Sequence, residues 1–189
     1  YKSDGSFLQN FQQLDGLSLQ AVTVGSFGLN NPILSNGANL AYRKDAFEEV
    51  NGFSGNDHIA SGDDIFLMEK FRKHFPGQVK FLKAREAIVS TKPQHSWKSV
   101  IQQRIRWASK TSKQKNPLSI FLGFLVFLVN FSFLIIPILF IFHPEKWIFF
   151  ILLIYLKIIT DFIVIRQAGN FFYKRITFWK FQWMPFVYS

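Results

Sequence analysis

Leu118 to Phe142 is a run of 25 residues without one charged side chain. No other feature of the chain limits its fold as strongly. A hydrocarbon layer about 30 Å thick is crossed by about 20 helical residues, so this run can span one with some tilt. Surroundings without water offer the backbone no outside hydrogen-bond partner, and a single segment then has to be a helix. Asn130 and Pro137 are its only strong irregularities, and both are tolerated where neighbouring helices satisfy them. The polar turn His143-Pro144-Glu145-Lys146 follows, then a second candidate span of 19 residues, Trp147 to Ile165, with Trp147 at an interface position. Lys157 and Asp161 lie inside this second run, four residues apart. That spacing lets them neutralise each other along one helix face, although charges at such depth also line bundle interiors and aqueous paths. Residues 171–189 are aromatic-rich and suit an interfacial helix or a third span.

The first part of the chain has the opposite character. Residues 1–116 hold 16 of the 22 basic and 10 of the 12 acidic side chains. The formal net charge is +10, which suits phosphates, anionic lipid or nucleic acid. The excess is concentrated from Lys92 to Lys115, with seven Lys or Arg and no Asp or Glu, directly before the first apolar run. The Arg166–Arg175 flank is also basic, whereas the turn between the spans is not. The positive-inside bias places both flanks, and with them the soluble part, in the cytoplasm of an integral inner- or plasma-membrane protein. A nucleic-acid partner is not expected. Trp97 and Trp107 among the basic residues would suit bases, but the run abuts a span. Cysteine is absent, which excludes disulfides and thiolate metal sites, and the four His show no metal-ligand spacing. The chain opens on polar residues without Met or a secretory leader and reads as an excerpt.

Coarse patterning divides the soluble part further. A short helix is expected near Phe7–Leu14, a strand over Leu19–Val24, a loop over Gly25–Gly37 and a strand over Ala38–Tyr42. Lys44 to Val50 reads as a helix closed by the stop signal Asn51-Gly52. Ser61-Gly62-Asp63-Asp64 has the Ser-x-x-Asp form of a helix start, with Ser61 as cap and Ile65, Met68, Phe71 and Phe75 as the apolar stripe. Pro76-Gly77 ends that helix, and Val79–Leu82 and Ala87–Thr91 read as strands. His95 to Ser112 reads as an amphipathic helix with Trp97, Ile101, Ile105 and Ala108 on one face, able to lie along a bilayer surface.

Two short motifs carry chemistry. One is Gly62-Asp63-Asp64 at a helix start. The other is Gln103-Arg104-Ile105-Arg106-Trp107, a Gln-x-x-Arg-Trp string about ten residues before the first span. A carboxylate can take a proton from a hydroxyl held within hydrogen-bond reach. An indole offers a face for stacking on a sugar ring, and a guanidinium offers a fork for a diphosphate. Bland roles compete with these: Asp64 could close a capping box with Ser61, and Arg106 and Trp107 could anchor a helix at a membrane surface.

The order of these motifs resembles the C-terminal half of an inverting family 2 glycosyltransferase, the group that includes cellulose, hyaluronan and poly-N-acetylglucosamine synthases. The likeness covers about residues 30–115 together with the order of domain and then spans. Ser35-Asn36-Gly37-Ala38-Asn39 resembles the Gly-x-Asn stretch upstream of the acidic pair. Asn51-Gly52-Phe53 resembles a Gly-Gly-Phe-like turn in which Asn replaces the first Gly. The resemblance implies an α/β fold, a partial GT-A glycosyltransferase domain followed by transmembrane α-helices. Residues 1–94 would be the incomplete catalytic domain, 95–116 the interface helix and 117–189 the membrane region. It further implies Asp64 as the base with Asp63 supporting it, and Gln103, Arg106, Trp107, Asn39 and Gly37 as substrate-binding residues. The implied partners are a nucleotide-sugar donor, a carbohydrate or lipid acceptor and membrane lipid. The implied cofactor is a divalent cation, Mg or Mn. Its Asp-x-Asp motif is missing here, so no metal ligand is expected in this sequence, and residues 1–189 alone should not turn over donor. A non-catalytic membrane subunit or scaffold of a polysaccharide synthesis or export complex is the alternative reading.

Overall fold

The structure is a computed structural model that describes residues 5–55, 62–111, 116–172, 176 and 178–181. It contains seven α-helices among the described residues: α1 (Phe7–Gly28), α2 (Lys44–Glu49), α3 (Asp63–His74), α4 (Trp97–Thr111), α5 (Pro117–Phe142), α6 (Trp147–Phe171) and α7 (Phe178–Phe181). Short 3-10 turns occupy Gly37–Asn39 and Pro144–Lys146. The chain divides into two compact units, Val22–Ile120 and Ser3–Ala21 with Phe121–Ser189.

The expected α/β class is wrong: the described residues form helices and loops with no strand or sheet. Leu19–Val24 lies within α1. The faint alternation there loses to a three-residue rhythm, in which Leu14 and Leu17, then Thr23 and Ser26, are buried. The Ser18 and Ser26 hydroxyls donate to the carbonyls of Asp15 and Thr23, both at 2.8 Å, and so stay satisfied inside the helix. At Ala38–Tyr42 the chain makes the 3-10 turn instead, and Leu40 leaves it in extended backbone (φ −127°, ψ 127°) that pairs with nothing. Val79–Leu82 and Ala87–Thr91 likewise run as loop. A strand is a property of two chains whose backbones pair side by side, and among the described residues no such ladder forms at any of these segments.

In the unit Val22–Ile120 the core is Val50, Leu67 and Phe71, with Ala46, Phe47, Phe75 and Val79 packed on it. Helix α2 ends as its sequence predicts. Asn51 (φ 56°) and Gly52 (φ 48°) are left-handed, and Gly52 donates back to the Phe47 carbonyl at 2.8 Å. Only glycine fits at position 52, because a Cβ there would stand 2.7 Å from the Phe47 ring. Helix α3 carries Asp63 and Asp64 in its first turn and Arg72, Lys73 and His74 in its last, both favourable to its dipole. Its cap is Gly62 in left-handed backbone (φ 111°), with no side-chain capping bond. Asp64 is therefore at the second helical position. Ser61 itself lies outside the described residues.

Helix α5 begins on Asn116-Pro117. The buried Asn116 accepts from the Leu118 N–H at 3.0 Å through Oδ1, and the proline opens the first turn. Its Nδ2 donates to Asn31 Oδ1 at 3.1 Å, an oxygen that also accepts from Arg72 of α3.

In the second unit, Leu14, Leu17, Ile165 and Phe181 form the core, flanked by Ile158, Phe162, Ala168, Phe172 and Ile176. Among the described residues, two helices are long and apolar enough to cross a membrane, over Pro117–Phe142 and Pro144–Phe171. Their hydroxyls turn inward: Ser132 donates to the Val129 carbonyl at 2.6 Å and Thr160 to that of Leu156 at 2.7 Å. Lys157 and Asp161 pair along α6. In the aromatic tail the helical segment described is α7, and residues 182–189 lie outside the described residues.

Candidate functional site

The start of α3 and the turn at residue 37 meet. Asp64 is half-buried and Asp63 exposed. The Gly37 N–H donates to Asp64 Oδ2 at 2.9 Å, and the Ile65 N–H donates to Oδ1, also at 2.9 Å. Both carboxylate oxygens thus have a fixed backbone donor, which sets the plane of the group. Gly37 is free to present its N–H because Asn36 shapes the turn around it. Asn36 Oδ1 accepts from the Ala38 N–H at 3.0 Å, and its carbonyl accepts from the Asn39 N–H at 3.0 Å. A methyl group on Gly37 would sit 3.6 Å from the Asp64 side chain, an ordinary contact, so the glycine is not demanded by lack of space.

Asn39 extends the site. Its Nδ2 donates to the Ala87 carbonyl at 2.7 Å and draws in a turn closed by Ala87 N–H to Ala84 (3.3 Å) and Ile88 N–H to Arg85 (3.2 Å). Two sequence-predicted residues, Gly37 and Asp64, are therefore joined by a hydrogen bond across 27 positions, and a third, Asn39, bonds across 48 positions to Ala87.

The second motif lies on α4. Its residues do not share one environment: Gln103 and Trp107 are half-buried, together with Arg104, whereas Arg106 is exposed. Val100, buried to 4% exposure, marks the inward side. The apolar ridge faces solvent, with Trp97 41%, Ile101 55% and Ile105 64% exposed, and Ala108 is exposed too. The helix thus turns Gln103, Arg104 and Trp107 inward and its oily ridge outward. A soluble helix does the reverse.

Four residues of this unit with long-range hydrogen bonds carry no motif. Lys70 of α3 donates to carbonyls of the 50–54 turn. Arg72 and Asn116 converge on Asn31. The one signal available in the sequence is Lys70 itself, a cation inside the apolar stretch Ile65–Phe71. Nearby, Arg43 and Asp45 form an exposed two-pronged ion pair at the start of α2. The hydrogen bond from Arg43, and then the Ala46 N–H, hold the Asp45 carboxyl below the usual carboxylate range, and Asp45 in turn raises Arg43.

Among the described residues no three His, Asp or Glu side chains cluster as metal ligands would. The adjacent carboxylates of Asp63 and Asp64 alone do not make a cation site.

The sequence matches the family model described as Glycosyl transferase family group 2 over residues 4–163. No curated protein and no solved structure matches it.

Proposed function

Because the chain belongs to glycosyl transferase family group 2, a family of sugar transferases, we propose that it completes an inverting transfer from a nucleotide-sugar donor at the cytoplasmic face of a membrane, with Asp64 as the base. The acceptor is a growing polysaccharide or a lipid, as in the polymer synthases whose motif order this sequence resembles. The acceptor hydroxyl oxygen attacks the anomeric carbon of the donor sugar. Its proton passes to the Asp64 carboxylate. The bond from that carbon to the diphosphate oxygen breaks, and its electron pair leaves with the nucleoside diphosphate. Attack from the side opposite the leaving group inverts the anomeric centre.

The observation that carries this reading is the hydrogen bond from Gly37 to Asp64. A base has to be held still to work, and this bond fixes the carboxylate with a residue from the other half of the motif set. Asp63 supports it from the same first turn of α3. Gln103 and Trp107, both half-buried, bind the sugars beside Asp64, and the exposed Arg106 meets the leaving diphosphate. A Mg or Mn ion for the diphosphate belongs to the same reading, held by an Asp-x-Asp motif that residues 1–189 do not contain.

Membrane attachment rests on α5 and α6, whose length and hydropathy suit spanning, and on the outward apolar ridge of α4. That ridge suits the boundary of a bilayer, with Lys98 and Arg106 available to anionic headgroups.

Asp64→Asn tests the base. The substitution keeps size and one oxygen acceptor but removes the ability to take the proton. In the full-length protein, kcat for donor consumption is expected to fall by about 10²- to 10⁴-fold with the circular dichroism spectrum unchanged. Undiminished turnover would remove Asp64 from the role.

A further inference from the structure

We propose that Lys70 is a positioning residue for the sugar-transfer site, acting by clamping the 50–54 turn onto the helix that carries Asp63 and Asp64. The Nζ of Lys70 donates to the carbonyls of Gly52 at 2.6 Å, Ser54 at 2.7 Å and Val50 at 3.4 Å. An ammonium has three N–H donors, and here all three have an acceptor. Lysines are mostly solvated, whereas Lys70 is half-buried. Charge-assisted bonds of this kind are about twice as strong as neutral ones.

The turn is built to receive it. Asn51 and Gly52 both have positive φ, and this reversal turns the carbonyls of residues 50, 52 and 54 toward one point. Phe47 and Phe53 close the other side, edge to face at 5.1 Å, and the missing Cβ of Gly52 lets the backbone lie against the Phe47 ring.

Helix α3 therefore holds two turns. Asp64 fixes the turn at residue 37, and Lys70, about 9 Å further along the axis, fixes the turn at 50–54. The helix that carries the acidic pair is thus bound to a separate turn at each of two levels. The inference rests on the proposed transfer reaction for its consequence but not for the clamp. Lys70 itself touches no substrate, since its donors are used.

The test uses the full-length protein in detergent, comparing Lys70→Met, which keeps the stem and loses the charge, with Lys70→Arg, which keeps the donors. A third variant, Val79→Ala, weakens the same packed cluster from outside the 50–54 turn. Amide exchange is read at Gly52 and Ser54, whose N–H groups bond to Phe47 and Asn51. Lys70→Met is expected to speed it by about tenfold or more, and Lys70→Arg to leave it near the parent rate. Turnover per folded molecule is expected to drop about 10- to 100-fold in Lys70→Met, to recover in Lys70→Arg, and to stay within about twofold in Val79→Ala even if its thermal midpoint falls as far. Unchanged exchange in Lys70→Met overturns the clamp. Faster exchange with undiminished turnover, or an equal turnover loss in Val79→Ala, overturns the positioning role. A parent protein without sugar transfer would instead sink the proposed function, and the exchange comparison would still decide the clamp.

Discussion

Leu67 on α3 and Leu128 on α5 are the same side chain put to opposite uses. Leu67 is 1% exposed in the core with Val50 and Phe71, whereas Leu128 is 45% exposed on a helix surrounded by its own kind. The unit Val22–Ile120 is held by a small buried core and by hydrogen bonds between segments far apart in sequence. The long apolar helices are held by bonds within each segment, and their side chains mostly face outward. In the proposed membrane setting the first arrangement draws its stability from leaving water, and the second from having no water to reach.

Identical truncations separate the two most widely. Leu67→Ala should cost about 2–5 kcal/mol, the usual range for emptying a packed site, read as a large loss in the thermal midpoint of the detergent-solubilised protein. Leu128→Ala should shift membrane insertion by only about 0.5–1 kcal/mol and leave the midpoint nearly unchanged. Equal costs at both positions would mean that α5 is a core helix of a water-soluble assembly, and the contrast would disappear.

That contrast also governs how much could be read before the structure. Helix α5 begins one residue before the expected boundary and ends on it, because an uncharged run of that length has one way to satisfy its backbone and needs no partner to do so. The end of α2 at Asn51-Gly52 was legible for the same reason: the signal and its consequence are neighbours. The strands were not. Ala38–Tyr42 has a strand-like composition, but what it becomes depends on Asn36 folding back on Ala38 and on Gly37 meeting a carboxylate 27 positions away. Of the site, the residue types Gly37, Asn39 and Asp64 were legible, and the bonds from Gly37 to Asp64 and from Asn39 to Ala87 were not. Lys70 and Asn31 had no motif to mark them, because carbonyl acceptors and a lone amide leave no pattern in side-chain identity. The inward turn of Gln103 and Trp107 was also hidden, since helical spacing gives faces but not which face packs.

Asn116 sits where the two kinds of region are joined along the chain, and it gives the next smaller effect. Its oxygen caps the first turn of α5 and its amide bonds to Asn31. Asn116→Ala removes both and is expected to cost about 1–2 kcal/mol, or roughly 2–8 °C in thermal midpoint for a chain of this size. Asn116→Ser, which keeps a capping oxygen, should recover about half. If the alanine variant melts with the parent, the start of α5 is set by its apolar run alone, and the long-range bond to Asn31 adds nothing.

The smallest effect is electrostatic and belongs wholly to the solvent-exposed side of the comparison. The Asp45 carboxyl is held below its ordinary value of 3.8, first by the Arg43 hydrogen bond and then by the Ala46 N–H. A carboxylate more acidic in the folded chain than in the unfolded one favours folding once it is ionised in both. Its contribution is therefore complete above about pH 4–5 and is lost as the pH falls through the lowered folded value. Both partners lie in water, so screening keeps the effect small. Asp45→Asn should lower the thermal midpoint slightly at pH 7, by less and less as the pH falls into the acid range, and so flatten the profile. Adding salt to about 1 M should narrow the gap between parent and variant. A gap that persists at low pH would assign the role of Asp45 to the shape of the α2 start rather than to its charge. The exposed pair would then resemble the self-contained apolar helices, where local geometry suffices without electrostatics.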